Sequence, residues 1–453
     1  MKRVALAFVL GFVANLSARA DARWNGVVLK GVTDREPCSY VAGETMIYSF
    51  SLENMSAETD LTGFSLKWKR QGDDGVTQEG TLPLAPSGMT VATSIATPGF
   101  VRMEAWVVDE SGAKVKRDTS IGKSCLGHEE VSFTGGSGAS LRKIVPGVAT
   151  PADFDAVWEA ALARLNAKKP VTTENLASCY EDVTGSAAFT RLAVTVPSFG
   201  PNWTDCHATG YLTMPKNASN GSLSAVVSFD GYGVYRPSVP GRVEDPQAMT
   251  LHINAHGFYP LVMTDDEYDA FVKNVIDARP GGYGFNGEDN AVFERAYFFG
   301  MAMRVVSATT FLREFAKTRP EWNGKLIAKG GSQGGLQASW AASLVPGVTQ
   351  VVLSAPWCCD LGGTTVGKMG GWRPGWTAAL GYYDPVSHAA HMPANQIKTI
   401  ERSALGDYIA PPSGHAVLFN ALRGRRTISF VQGGDHYNNP DIYEQHDDKR
   451  VCK

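Results

Sequence analysis

Beyond its first twenty residues, this 453-residue chain has no apolar run long enough to cross a bilayer, so no membrane span is expected. It also lacks an excess of either charge: 42 Lys and Arg stand against 45 Asp and Glu, a net of −3 with histidine neutral. A nucleic-acid or anionic-membrane partner requires a basic patch, and this balance supplies none. No low-complexity tract or obvious internal repeat interrupts the chain. Cysteine is scarce, seven in all, and the odd count leaves at least one thiol free or bonded between molecules. Their spacing matches no zinc pattern, so neither a metal nor another cofactor is expected. What remains is a folded globular chain, 43% hydrophobic and long enough for two or three domains.

The first twenty residues differ from the rest. Lys2 and Arg3 precede the apolar run Val4 to Val13, and Ala18-Arg19-Ala20 supplies an A-x-A cleavage site. This is the layout of a secretory signal peptide, so residues 1–20 are expected to be removed and the mature chain to be secreted or periplasmic. Export permits disulfides. Cys38 with Cys125 would bracket the N-terminal region, and Cys179 with Cys206 lie on neighbouring predicted strands.

Residues 21–130 read as all-β. Met46, Tyr48, Phe50 and Leu52 fall on one face of a strand, as do Phe64, Leu66 and Trp68, and again Val101, Met103, Ala105 and Val107. Several short strands in about 100 residues suggest an immunoglobulin-like sandwich. The glycine-rich "FTGGSGASLRK" reads as a linker, placed at 131–150. Thr150 as cap and Pro151 at the first position then open a helix whose apolar face is Phe154, Val157, Trp158, Ala161, Leu162 and Leu165. From there, predicted strands alternate with helical stretches. That alternation predicts an α/β domain over 151–453, a mostly parallel sheet with helices on both faces.

Within it, Leu326-Ile327-Ala328 leads into Gly330-Gly331-Ser332-Gln333-Gly334 and then a helical run. Glycine costs backbone entropy, so the cluster needs a geometric reason. The pattern G-x-S-x-G between a strand and a helix is that of a nucleophile elbow, with Gly330 and Gly334 keeping side chains out of a tight turn. The pentapeptide alone is unspecific in a chain with 48 glycines; its context carries the reading. "TGGSGAS" around Ser137 nearly fits but follows polar sequence and lacks the last glycine.

A serine hydroxyl needs a base, and the base needs a carboxylate to orient it, in the chain order Ser, Asp or Glu, His. Of the downstream histidines, His436 follows the predicted strand in "TISFVQGGDHYNNP". His415 falls in a predicted helix, His446 in a charged tail, and His388 with His391 forms an H-x-x-H pair without an evident third ligand. For the acid, Asp407 opens a Pro-rich loop; Asp360 and Asp384 are rivals, Asp384 also suiting a capping role, and Asp435 would point elsewhere from the histidine's own loop.

These residues resemble the acetyl xylan esterase and cephalosporin C deacetylase family of α/β-hydrolases, from about Pro151 to Pro440. The motifs that carry the likeness are "PADFDAVWEAALARL", "GGSQGG", "SAPWCCDL", "LGDYIAPPS" and "GGDHY". The resemblance implies Ser332 as nucleophile, Asp407 as acid, His436 as base, and the backbone N–H groups of Gln333 and Tyr232 as the oxyanion hole. There are departures. Asp230 stands where the family usually has His, "NAHG" (Asn254 to Gly257) replaces an Arg-Gly-Gln segment, and Tyr437 follows the histidine where Glu is common. The sandwich lies outside the likeness, and it could block or reshape the ring-like homo-oligomers of the family.

The implied activity is a serine esterase acting on acetylated carbohydrates such as xylan, with Trp357, Trp372 and Trp376, alongside Tyr382 and Tyr383, as candidates to stack on sugar rings. Packing of a lid's own small core is an equally good account of these aromatics. Two rivals remain: a serine peptidase of the prolyl oligopeptidase type, whose propeller about 110 residues cannot make, and a non-catalytic glycan-binding protein.

Overall fold

Among the described residues, seven strands precede residue 140: β1 (Val28–Thr33), β2 (Thr45–Glu53), β3 (Ser65–Gly72), β4 (Thr77–Pro83), β5 (Met89–Ser94), β6 (Gly99–Val108) and β7 (Ser132–Ala139). They form two antiparallel sheets, ordered β1-β2-β5 and β4-β3-β6-β7. The alternation seen in sequence sets the facing. Met46, Tyr48, Phe50 and Leu52 of one sheet and Val101, Met103, Ala105 and Val107 of the other share a buried core, with the Phe50 and Phe133 rings 5.7 Å apart. Each large apolar side chain so buried contributes about 1.5–3 kcal/mol. The computed structural model describes residues 22–56, 58–117, 129–183, 186–234, 238–257, 263–274 and 282–437. The expected signal peptide, Cys125, His446 and Cys452 lie outside these residues.

The segment read as linker is β7. Its eight residues all pair with β6, from Gly99 opposite Ala139 to Trp106 opposite Ser132. The helix that follows, α1 (Phe154–Lys168), starts later than Thr150 and Pro151 suggested. Asp153 holds the cap position, but its carboxylate accepts from the Tyr382 hydroxyl rather than from the helix. Phe154, Trp158, Ala161 and Leu165 form the buried stripe.

Among the described residues, five strands follow α1 before any further α-helix: β8 (Tyr180–Asp182), β9 (Phe189–Phe199), β10 (Asp205–Pro215), β11 (Leu223–Phe229) and β12 (Ala248–Ile253). The expected alternation sets in after them: α2 (Asp265–Val272), α3 (Gly287–Asn290), α4 (Tyr297–Lys317), β13 (Trp322–Gly331), α5 (Gln333–Leu344), β14 (Gln350–Ser354), α6 (Pro385–Ala389), β15 (Ile397–Ala404), α7 (Pro412–Ala421) and β16 (Arg426–Val431). The sheet order is β16-β15-β14-β13-β11-β12-β10-β9-β8, with β11 to β16 parallel and β8 to β10 antiparallel. This is an α/β-hydrolase sheet. Leu326, Ala328, Val351, Leu353 and Ile400 are buried on one face, which α4, α5 and α7 cover, whereas Ile327, Lys329, Val352 and Glu401 opposite are half-buried. Because β11 lies between β12 and β13, the connection from β11 to β12 and that from β12 to β13 run in opposite directions, and a crevice opens at the carboxyl ends there.

Cys179 and Cys206, paired from the sequence, are both free thiols. Tyr180, next to Cys179, pairs with Val194 on β9, while Cys206 pairs with Ser198 on that strand's other side. Two strand spacings, roughly 9–10 Å, separate their strands, beyond the reach of a disulfide. Among the described residues, no helix is long and apolar enough to cross a membrane.

Candidate active site

β13 ends in the crevice, and the chain there reverses into α5 through Ser332, whose φ of 53° and ψ of −119° are strained for any residue but glycine. Such a conformation costs about 1–3 kcal/mol and persists only where neighbours fix it. Here Ser332 N–H donates to the Ser354 carbonyl at 2.9 Å, and Trp357 N–H donates to the Ser332 carbonyl at 3.0 Å. The glycines let two backbones meet. A Cβ on Gly330 would lie 2.4 Å from the Gly334 backbone, and one on Gly334 would lie 2.1 Å from the Phe229 carbonyl oxygen. Gly331 has no such demand, since its nearest neighbour would be 3.7 Å away.

The strained turn holds the Ser332 hydroxyl 2.9 Å from His436 Nε2, while Nδ1 of the same ring lies 2.7 Å from Asp407 Oδ2. A carboxylate only accepts, so Nδ1 carries the proton and Nε2 is left to accept from the serine. The side chains of His436 and Asp407 are 7% and 0% exposed, which keeps water from competing for the pair. The other Asp407 oxygen accepts from Ile409 N–H and Ala410 N–H, each at 2.8 Å, fixing the carboxylate plane. Three loops, after β13, β15 and β16, thus bring together three residues far apart in sequence.

The rival residues are engaged elsewhere. His415 Nε2 donates to the Pro356 carbonyl, and His388 sits between Ser343 and Tyr382; burial pushes them down to about 4 and about 3. His391 pairs with Asp155. Asp384 caps α6 and the turn at Asp360 and Leu361, and burial raises its carboxyl to about 7. Asp360 pairs with Lys368, and Asp435 accepts from Tyr437 N–H.

A cavity of about 440 Å³ opens on Ser332 and His436, walled by Tyr232, Trp372, Tyr408 and Tyr437. Of the three tryptophans read as pocket residues, only Trp372 lines it. Trp357 is buried beneath, stacked on Trp372 and donating to its carbonyl, whereas Trp376 packs at Gly381 against the main core. A second cavity of about 500 Å³ also reaches Ser332 and His436, past Asp230, His252, Lys329, Glu401 and Arg402.

Gln333 heads α5, where a backbone N–H has no acceptor within the helix. Tyr232 lies in the turn after β11 and stacks on Tyr283 with centroids 4.3 Å apart. That turn is tied down by residues to which the sequence assigned no role. Gly233 N–H donates to the Tyr283 hydroxyl, which donates to Gln333 Oε1 at 2.9 Å, linking the turn to the elbow. His256 Nε2 meets the Gly233 carbonyl at 2.8 Å; burial lowers this histidine to about 4, so it donates as a neutral ring. Asp230 reaches His252 Nε2 at 2.8 Å, Nδ1 of that ring meets Glu244, and Glu244 meets Lys329. Donating to the Asp230 and Glu244 carboxylates raises His252 to about 9. Among the described residues, no cluster of His, Cys, Asp or Glu is arranged to hold a metal ion.

Residues 139–366 match the family model described as acetyl xylan esterase (AXE1). The acetyl esterase Axe7A of Xylanibacter ruminicola is 26% identical over 317 residues; the match covers 66% of this chain and 66% of that protein, just under two thirds of its length. Among solved structures, an acetyl xylan esterase from Paenibacillus sp. R4 is 18% identical with a TM-score of 0.48, covering 65% of this chain and 93% of its own. Acetyl xylan esterase 1 from Thermoanaerobacterium is 17% identical with a TM-score of 0.48, covering 69% of this chain and 95% of its own.

Proposed function

Because the chain belongs to the acetyl xylan esterase (AXE1) family, we propose that it is a secreted serine esterase that removes acetyl groups from acetylated carbohydrates such as xylan or xylo-oligosaccharides. The observation that carries this reading is the continuous relay from the Ser332 hydroxyl through His436 to Asp407, at 2.9 and 2.7 Å, on the floor of an open cavity.

The Ser332 oxygen attacks the acetyl carbonyl carbon as His436 Nε2 takes its proton, a general-base contribution of about 10²–10⁴-fold. Asp407 holds the resulting imidazolium in place through Nδ1–H. The oxyanion is received by the backbone N–H groups of Gln333 and Tyr232; losing one such donor typically costs about 2.7–4 kcal/mol. Collapse breaks the bond to the sugar oxygen, which leaves with the proton from His436. Water then repeats the sequence on the acetyl-serine, releasing acetate. The aromatic wall of Tyr232, Trp372 and Tyr408 suits the apolar faces of sugar rings at the mouth, with Trp372 41% and Tyr408 46% exposed.

The same reading assigns catalysis to residues 151–453, with the sandwich as an appended domain and residues 1–20 as its export signal. Acetate release from acetylated xylan tests the proposal. Wild type is expected to release acetate and to be labelled at Ser332 by a phosphonofluoridate, and Ser332→Ala to do neither. Peptide hydrolysis without acetate release, or a label on another serine, would overturn it.

A further inference from the structure

The glycines of β7 have so far no role, and the sandwich has none in the chemistry. Gly135 and Gly136 face the loops that carry the acid and the base. A Cβ on Gly136 would lie 2.6 Å from the Leu405 carbonyl oxygen, and one on Gly135 would lie 2.3 Å from Gln432 Oε1. The space is used for hydrogen bonds. Gly136 N–H donates to Gln432 Oε1 at 3.0 Å, and Gln432 Nε2 donates back to the Gly136 carbonyl at 2.8 Å. Gln432 is four residues before His436. Next to β7, Arg102 of β6 donates through Nε to the Gly406 carbonyl at 2.9 Å, and the Thr134 hydroxyl reaches the same oxygen at 3.4 Å. Gly406 immediately precedes Asp407, and its own N–H donates to Gly434 in the histidine loop. The Arg102 guanidinium also lies over the ring of Tyr408, a wall of the cavity, at 5.5 Å. Glu104 and Gln71 hold the guanidinium from its other side.

From this geometry we infer that the sandwich is a working part of the catalytic centre: Arg102, with the Gly135–Gly136 stretch of β7, positions the loops bearing Asp407 and His436. The inference rests on the relay proposed above. Asp407 is anchored by its own loop at Ile409 and Ala410, and that loop is anchored at Gly406 by a side chain from another sheet. Arg102 touches neither substrate nor the reacting atoms. It is a positioning residue, and displacing the carboxylate by a fraction of an ångström weakens the chemical step while leaving the cavity in place.

The test is steady-state hydrolysis of p-nitrophenyl acetate by full-length Arg102→Ala. Its kcat is expected to fall roughly 10- to 100-fold, the scale of a small misplacement of a catalytic group, with KM little changed. Guanidinium added below denaturing concentration should restore part of the loss by refilling the space left by the side chain. Lys30→Ala, which removes an exposed sandwich ion pair with Glu53, should retain wild-type kcat. Wild-type kcat in Arg102→Ala overturns the inference, as does a loss that guanidinium does not relieve and that tracks a lowered melting temperature. Should Arg102→Ala not fold, Arg102→Lys is measured in its place, since it keeps a cation but loses the Nε donor; unchanged kcat there overturns the inference equally. Failure of wild type to label at Ser332 would strike the relay itself, a separate result.

Discussion

The side chain most exposed to a single-atom test is Asp407. Its two oxygens have divided tasks, one accepting from Ile409 and Ala410 and the other from His436. In Asp407→Asn the amide can keep the first task only by turning its NH₂ toward His436 Nδ1. That nitrogen must then accept, the ring proton moves to Nε2, and the Ser332 hydroxyl has no base. The expected loss of kcat is roughly 10⁴-fold with little change in KM, as the wrong tautomer produces in triads of this kind. Esterase kinetics on a small acetyl ester will measure it; a loss under tenfold would mean the carboxylate does not set the tautomer. At this scale the sequence was informative where chemistry demands a particular residue in a particular local frame. Ser332 stood between a strand and a helix, and His436 followed a strand. Tyr283 and His252 were silent, and His256 showed only within the departing "NAHG" segment, because each contributes a hydrogen bond to a turn distant in sequence, and no local pattern announces that.

Among elements, the turn after β11 is secured to the ends of β12 and β13 by an ionic chain, Asp230–His252–Glu244–Lys329. His252 is raised from 6.5 to about 9 by Asp230 and then Glu244, so its charged form is favoured by folding. Its stabilisation is complete below 6.5 and is lost as pH rises through about 9. Glu244 is lowered from 4.5 to about 2, chiefly by His252, so its share is complete above 4.5 and is lost as pH falls through about 2. The chain is therefore at full strength between 4.5 and 6.5. Thermal melts of wild type and His252→Gln should differ most inside that window and converge above pH 9; a constant gap across the range would mean that charge on His252 does not hold the turn. Elements were legible where periodicity was strong, as in β2, β6 and the buried stripe of α1. They were misread where composition spoke louder than contact. β7 has the glycines of a linker because Gln432, Phe100 and the Leu405 carbonyl press against it, and α1 starts beyond Thr150, its expected cap, with Asp153 at the cap position and its carboxylate taken by Tyr382.

For the whole molecule, the sandwich and the nine-stranded sheet share a packed, hydrogen-bonded boundary. Phe100 on β6 belongs to the larger core, its ring 5.6 Å from Phe430 on β16. The Asn420 amide donates to the carbonyls of Leu141 and Ile144 at 2.8 and 3.0 Å. Asp73, buried and its carboxyl raised by that burial, accepts from Phe100 N–H and from Met369 N–H in the loop leading to Trp372. Separating the sheets would strand several buried polar groups, each costing about 1–3 kcal/mol, besides exposing Phe100 and Phe430. An independent sandwich would instead open alone and leave the relay intact. Cooperative unfolding is the expected outcome: in urea, esterase activity and the hydrogen-exchange protection of β2, β6 and β14 amides should be lost at one midpoint. Loss of protection in β2 and β6 at lower urea, with activity retained, would show that the sandwich is only tethered to the catalytic sheet.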